Sequence, residues 1–346
     1  MYQQRYYIVD YIKGLSVLFM IQVHVLELFA AENIYSSTYG KFSLFLGSVP
    51  VAPLLMVFLG YFLFDTNKSS SQLFWRGTKL FLLGMLLNLL LNFNLIYSVC
   101  NNKFQINIWP YVFGVDILHF AGLSIIILAC FRKILEKYRL IPVILIIVII
   151  LISNFQLQLT LQNNNLKYIL SYFFGCSNWS YFPLFPWLAY PLVGVSIKNY
   201  FNNNLYKKIL NKQKYILGLI VLTTLILSLP FAVKTASNLQ SYYHHDVLFF
   251  LWSIIFIAMY FQICDLSLQL VFIKKISLPF IWLGKNITLI YFIQWFIIGN
   301  LATEIYKTVN NVSYLLLYFT GITMLSVIVS FLCLKLYSCK KLFTSI

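Results

Sequence analysis

Long apolar runs dominate the chain and recur often enough to cross a membrane many times. About ten of them approach the roughly 20 residues that a helix needs to span the hydrocarbon layer. They lie at residues 8–30, 42–64, 74–94, 109–131, 140–160, 181–199, 214–235, 246–264, 279–300 and 313–337. Because these runs are continuous rather than alternating, they predict an all-α, polytopic transmembrane helix bundle and not a β-barrel.

The composition excludes a soluble globular protein. The chain is 61% hydrophobic and 10% charged, with a mean hydropathy of +0.82. We find no short apolar core followed by a small-residue cleavage site, so the first run is expected to stay in the mature protein. No internal repeat or linker divides the sequence. We therefore expect a single integral-membrane domain over residues 1–346.

The net charge of +16 reflects membrane orientation rather than a nucleic-acid partner. Lys and Arg concentrate in cytosolic loops. With the N-terminus inside, the opposite side receives only a few of the 25 such residues, namely Lys41, Lys103, Lys167, Lys234 and Lys307. Both termini are thus predicted to face the cytosol. The expected location is a cell membrane, such as a bacterial inner membrane, with membrane lipid around the bundle.

The first run, YYIVDYIKGLSVLFMIQVHVLELFA, carries Asp10, Lys13, His24 and Glu27. Ionisable groups inside a span are functional candidates. Lys13 and His24 are about three helical turns apart, so both project from one face at depths roughly 16 Å apart. The pattern indicates a cation near the cytosol and a deep imidazole. Glu27, one turn beyond, is a candidate to orient the imidazole, and a salt bridge that only fixes helix packing is the alternative.

A second imidazole lies in the fourth predicted span. In the run WPYVFGVDILHFAGLS, Asp116 precedes His119 by one helical turn. A carboxylate at this spacing can orient and charge an imidazole, which makes the pair a catalytic candidate. A structural hydrogen bond between helices remains an equal alternative.

Candidates for substrate binding cluster at the outer side of the predicted bundle. Trp187 lies in YFPLFPWLAYPLVG, whose prolines are expected to break or kink the sixth span. His244 and His245 open the eighth span, where an interfacial cap is the alternative. Gln294 lies within the ninth, where Tyr291 is a further polar position. Adjacent histidines point in different directions and no metal-ligand spacing occurs, so no metal is expected. Cys100 and Cys176 fall in outward loops, where a disulfide is an open possibility.

Four cations lie within or beside spans near the cytosolic side: Lys13, Arg76, Lys79 and Lys285. A polyanionic cytosolic ligand, such as a nucleotide or coenzyme A, would explain them. For Arg76 and Lys79 the alternative is snorkelling toward lipid phosphate.

These motifs carry a resemblance to known families. VDYIKGLSVLFMIQVH resembles the opening of the integral-membrane acyltransferase family 3, with Asp10, Lys13, Gly14 and His24 in the expected order. FGVDILHFAGLS, YFPLFPWLAYPLVG and LGKNITLIYFIQWF resemble the heparan-α-glucosaminide N-acetyltransferase-like membrane family. Lys13 replaces the usual Arg of the first family, and Gln294 stands where many members have His.

The resemblance implies a transmembrane acyltransferase. Its co-substrate would be cytosolic acyl-CoA, most simply acetyl-CoA, and the acyl group would pass to a hydroxyl or amine of a sugar or glycan acceptor outside. His24 carries over as the catalytic histidine, acting as a general base or becoming transiently acylated. A transporter or flippase of a lipid-linked glycan is the alternative, although the absence of repeats counts against it.

Overall fold

The apolar runs form helices that are separated by short breaks at Asn, Asp and Pro. The computed structural model describes residues 7–154, 164–175, 177–200 and 213–343. Within these ranges the backbone is helical or irregular, and two isolated bridges, Ala30 with Val309 and Val115 with Ser180, are its only β pairing. The predicted all-α class is therefore confirmed.

The helices are numbered here in chain order. The first half comprises α1 (Tyr7–Phe29), α2 (Glu32–Tyr35), α3 (Thr38–Ser48), α4 (Ala52–Phe64), α5 (Ser70–Leu91), α6 (Phe93–Cys100), α7 (Trp109–Val112), α8 (Ile117–Cys130), α9 (Arg132–Lys137) and α10 (Leu140–Asn154). The second half comprises α11 (Asn164–Leu170), α12 (Leu184–Trp187), α13 (Ala189–Tyr200), α14 (Gln213–Leu227), α15 (Leu229–Ala236), α16 (Leu239–Tyr243), α17 (Val247–Ser267), α18 (Val271–Lys285), α19 (Ile287–Ile305) and α20 (Val312–Phe343).

Several of these helices are long and apolar enough to cross a membrane. In the described part of the chain there are six, Tyr7–Phe29, Thr38–Phe64, Ser70–Leu91, Val247–Ser267, Ile287–Ile305 and Val312–Leu336. A bent pair, Gly218–Leu227 and Leu229–Ala236, adds a seventh if it is counted as one span. The protein is thus a polytopic helical membrane protein. The count of about ten spans and the cytosolic position of both termini stay predictions.

Residues 279–300 do not form the single span that the hydropathy predicts. The backbone leaves the helical conformation at Asn286, with φ −112° and ψ 17°. Its side-chain amide donates to the carbonyl oxygen of Trp282 at 2.9 Å, which satisfies one of the last carbonyls of α18. Helix α19 then starts from the Asn286 carbonyl, which accepts from the Ile290 N–H. Local capping by an asparagine therefore overrides the continuous apolar pattern.

The proline-rich segment breaks its helix, as the sequence predicts. Phe185 has non-helical angles, φ −108° and ψ 122°, inside the short helix α12. The longer helix α13 begins only after it. The fourth predicted span, 109–131, is also interrupted, because Asp116 has extended backbone angles and starts α8 as its N-cap.

The residues cluster into two compact units, which are described separately. The first unit comprises Met1–Gly47, Leu90–Gln105 and Tyr260–Ile346. Within it, α1 packs on α18, α19 and α20. Beyond its last turn, the N–H groups of Lys307 and Val309 donate to the carbonyls of Leu28 and Phe29, both at 2.9 Å. Helix α1 is therefore held by three helices and by backbone hydrogen bonds at its C-terminal end.

Helices α1 and α18 approach closely enough that only glycine fits at two contact points. A Cβ at Gly14 would lie 1.9 Å from the backbone oxygen of Phe280, and one at Gly284 would lie 1.8 Å from that of Asp10. No side chain fits at such distances without moving a backbone. The two glycines therefore set the spacing between these helices.

The second unit comprises Ser48–Leu89 and Ile106–Met259. Its core is the packing of α13 on α4 and α10. The Arg132 guanidinium ties the chain after α4 in place by donating to the carbonyls of Lys68 at 2.6 Å and Thr66 at 3.0 Å. An ion pair between Lys198 and Asp65 holds the same region to α13. The expectation of one domain over the whole chain stays a prediction.

Candidate active site

The imidazole of His24 is held by a glutamine from a distant part of the chain. His24 lies in the C-terminal half of α1 and is partly buried. Its Nδ1 is 3.1 Å from Nε2 and 3.4 Å from Oε1 of Gln294. Gln294 is fully buried in α19. Since a buried amide needs a hydrogen-bond partner, the contact fixes the orientation of both side chains.

Two aromatic side chains of α19 enclose the same imidazole. The ring centroid of Trp295 is 4.0 Å from that of His24, with the planes 34° apart. Tyr291 approaches edge-on, with centroids 6.4 Å apart. Residues three and four apart share one helix face, so Tyr291, Gln294 and Trp295 form a continuous wall against α1. We call these three residues together with His24 the histidine site.

The second nitrogen of the His24 ring is available for chemistry. Among the described residues Nε2 has no hydrogen-bond partner, whereas Nδ1 is engaged by Gln294. A neutral imidazole carries a proton on one nitrogen and a lone pair on the other. When the Gln294 Oε1 accepts from Nδ1–H, the lone pair lies on Nε2, which can then remove a proton from a substrate.

Glu27 lies one turn after His24 and makes no hydrogen bond to it in the described structure. Glu27 is partly buried, and it has no ion-pair partner among these residues. Its electrostatic neighbour is Tyr35 in α2. Burial raises the pKa of the Tyr35 hydroxyl, and the carboxylates of Glu27 and Glu32 add to the rise. The residue that orients His24 is therefore Gln294, and a catalytic role for Glu27 stays a prediction.

The four predicted donor-binding cations divide between the two units. Lys13 is partly buried in α1, and Lys285 is the exposed last residue of α18. Because Gly284 packs on the backbone of α1 near Lys13, Lys285 belongs to the same end of the first unit as Lys13. Arg76 and Lys79 are exposed on α5. Binding of coenzyme A by these residues stays a prediction.

Asp116 and His119 are paired as a helix cap. The Asp116 side chain accepts from the backbone N–H of His119, and the His119 Nδ1 accepts from the Asp116 N–H at 3.2 Å. The His119 ring is fully buried against Phe81, Tyr172 and the backbone of Gly84. The predicted one-turn spacing is used to start α8, and a catalytic role for either residue stays a prediction.

Trp187 and His245 are buried with their polar atoms satisfied. The Trp187 indole N–H donates to the carbonyl of Tyr243 at 2.9 Å. The His245 Nδ1 lies 2.8 Å from the Tyr242 carbonyl, and its Nε2 lies 3.0 Å from the Tyr190 hydroxyl. Burial lowers the pKa of His245 to about 4, so its imidazole is neutral at neutral pH. These contacts favour a structural role.

The structure gives little information on the other predictions for the outer side, which are His244, the disulfide and the absence of a metal site. His244 is partly buried beside Gly175, and its substrate-binding role stays a prediction. Cys176 lies outside the described residues, so the disulfide with Cys100 is untested. In the described part of the chain, no group of three His, Cys, Asp or Glu side chains is arranged to hold a metal ion.

Trp295 is the residue of the histidine site that the sequence analysis did not single out. It follows Gln294 directly and lies four residues after Tyr291. Both neighbours stand out as polar positions in an apolar run, and helical spacing alone puts Trp295 on their face. The spacing in the sequence therefore pointed to Trp295, but an aromatic residue in a span is ordinarily assigned to packing or to the interface.

The fold and site define a helical membrane protein with a partly buried, hydrogen-bonded histidine. The family model described as heparan-alpha-glucosaminide N-acetyltransferase, catalytic, matches residues 5–228. The chain belongs to this family and has a membrane N-acetyltransferase-like function in general terms. The matched region includes Lys13 and His24 but ends before Gln294 and Trp295. Comparison with curated proteins and with solved structures gave no match.

Proposed function

We propose that this protein transfers an acyl group, most simply acetyl, from cytosolic acyl-CoA to a hydroxyl or amine of a sugar or glycan on the opposite side of the membrane. The observation that carries the proposal is the histidine site. It presents an imidazole nitrogen that has no hydrogen-bond partner among the described residues, inside a span of a chain from a membrane acetyltransferase family. A general base of this kind accelerates acyl transfer to a hydroxyl or amine.

Lys13 and Lys285 are proposed to bind the phosphates of the acyl donor. The two side chains belong to one end of the α1–α18 pair. His24 lies about three helical turns, roughly 16 Å, along α1 from Lys13. An acyl thioester anchored by its phosphates at Lys13 would extend along α1 toward His24. The acceptor would enter from the other end of α1.

In the proposed reaction His24 acts as a general base. Its Nε2 takes the proton of the acceptor group while the acceptor oxygen or nitrogen attacks the thioester carbonyl. The carbon–sulfur bond then breaks and the coenzyme A thiolate leaves. Gln294 is proposed as a positioning residue. With its amide turned so that Oε1 instead of Nε2 is the nearer atom to Nδ1, Oε1 accepts from Nδ1–H both before and after His24 takes the proton. The same amide orientation therefore serves the base and its conjugate acid.

The test is acyl transfer by purified protein. With labelled acetyl-CoA, we expect release of free coenzyme A and a labelled product, detected by mass spectrometry. Glucosamine and N-acetylglucosamine as paired acceptors separate amine from hydroxyl transfer, since the second has no free amine. Absence of both product and coenzyme A release, with movement of an intact glycan instead, would favour a transporter.

Replacing Lys13 with methionine is expected to weaken donor binding. A hydrogen bond between charged groups contributes about 1.5–3 kcal/mol, so the KM for acetyl-CoA should rise roughly tenfold or more. The kcat should change little, because the lysine is three turns from the imidazole. Lys13→Arg should retain donor affinity. Steady-state kinetics measure both parameters.

The matched control is Lys274→Met, which removes an exposed lysine from α18. Its KM for acetyl-CoA should equal that of the wild type. An unchanged KM in Lys13→Met would contradict the proposed phosphate site, and an equal rise in both variants would point to a general effect of surface charge.

A further inference from the structure

The indole nitrogen of Trp295 is a buried donor without an acceptor. Trp295 Nε1 is inaccessible to solvent and has no hydrogen-bond partner in the described structure. Several other buried polar atoms share this property, but Trp295 is the one whose ring lies against His24, at a centroid distance of 4.0 Å. An unsatisfied donor in a native site calls for an explanation, and an unbound ligand is one.

The chemistry of an indole restricts which atom can be the missing hydrogen-bond partner. A serine hydroxyl rotates to find a nearby carbonyl, whereas the indole N–H has a direction fixed by its ring. It is a donor only, so its partner must be an acceptor atom. The same face of α19 already uses Gln294 to hold the other side of the imidazole. The Trp295 ring therefore adjoins the imidazole of the proposed base.

We infer that the Trp295 N–H binds the carbonyl oxygen of the thioester and stabilises its negative charge during acyl transfer. The inference rests on the proposed function. As the acceptor attacks, the carbonyl π electrons move to oxygen, and the Trp295 N–H donates to the resulting oxyanion. Return of this electron pair re-forms the carbonyl and expels the coenzyme A thiolate, while His24 Nε2 retains the acceptor's proton. Trp295 is thus a catalytic residue.

The Trp295→Phe variant tests this role directly. Phenylalanine keeps an aromatic ring against His24 but removes the N–H. Loss of one oxyanion donor lowers kcat by about 10²–10³-fold in well-studied enzymes, and the same loss is expected here. The KM for acetyl-CoA should stay within about threefold, because the hydrogen bond strengthens only as charge develops.

Thermal stability provides a second readout. The N–H of Trp295 has no protein partner to lose, so the melting temperature of Trp295→Phe in detergent should not fall below that of Trp252→Phe. Trp252 is a matched control, since its buried indole N–H donates to Ser228 at 2.9 Å. Trp252→Phe should lose stability but keep the wild-type kcat.

Each outcome decides the inference. A wild-type kcat in Trp295→Phe, a raised KM with unchanged kcat, or a larger stability loss than in Trp252→Phe would overturn it. In those cases transfer by the wild-type protein would leave the proposed function standing. If the wild type itself consumes no acetyl-CoA, the proposed function fails and this inference fails with it.

Discussion

His24→Ala is expected to abolish acyl transfer while leaving the protein folded in the membrane. A general base contributes about 10²–10⁴-fold to a rate, so kcat should fall by at least that factor. The KM for acetyl-CoA should change little, because the proposed phosphate site lies at the other end of α1. Steady-state assays with purified protein measure this loss.

A second variant separates chemistry from packing. His24→Asn keeps a polar group that can bond Gln294, which is buried and needs a partner. It should therefore be more stable than His24→Ala, yet equally inactive, because an amide does not take up a proton. Substantial activity in His24→Asn would contradict the role of the imidazole as a base.

Gly284→Ala is expected to cause the largest loss of stability. The added Cβ would lie 1.8 Å from the Asp10 backbone oxygen, so helices α1 and α18 must separate. Overpacking of this kind costs about 1–3 kcal/mol and sometimes more. We expect a clearly lower melting temperature in detergent and a smaller yield of folded protein.

The matched control is Gly321→Ala in α20. In the described structure, no heavy atom beyond the adjoining turns of its own helix lies within 4 Å of the position that a Cβ would take at Gly321, so the substitution adds helix propensity without a clash. Its melting temperature should equal or slightly exceed that of the wild type. Equal stability of the two variants would show that the α1–α18 contact does not limit stability.

The sequence was sufficient to identify His24 and Gln294 separately, because each is a polar residue in an apolar run. Their pairing could not be derived. The two residues are 270 positions apart, and contact depends on how α19 is rotated and placed against α1. Hydropathy carries no information about that rotation. Trp295 was missed for the same reason, since its meaning comes from the imidazole against which it lies.

The break at Asn286 shows where local chemistry decides the fold. The apolar pattern continues through residues 279–300, so a window average predicts one helix. The Gly-Lys-Asn sequence at 284–286 is typical of a helix end, and the Asn286 side chain completes the cap. At Trp187, by contrast, the local sequence does not decide the position of the side chain, because a tryptophan suits both the membrane interface and the protein core. Only packing shows that it is fully buried.

The central claim is that an acyl group crosses the membrane through this protein. The most direct measurement uses sealed proteoliposomes with labelled acetyl-CoA on the face that carries Lys13 and the acceptor sugar on the other. The account predicts label on the enclosed acceptor with wild-type protein and none with His24→Ala. Two results would contradict it. One is label only on acceptor that is added on the same side as acetyl-CoA, and the other is equal labelling by the wild type and His24→Ala.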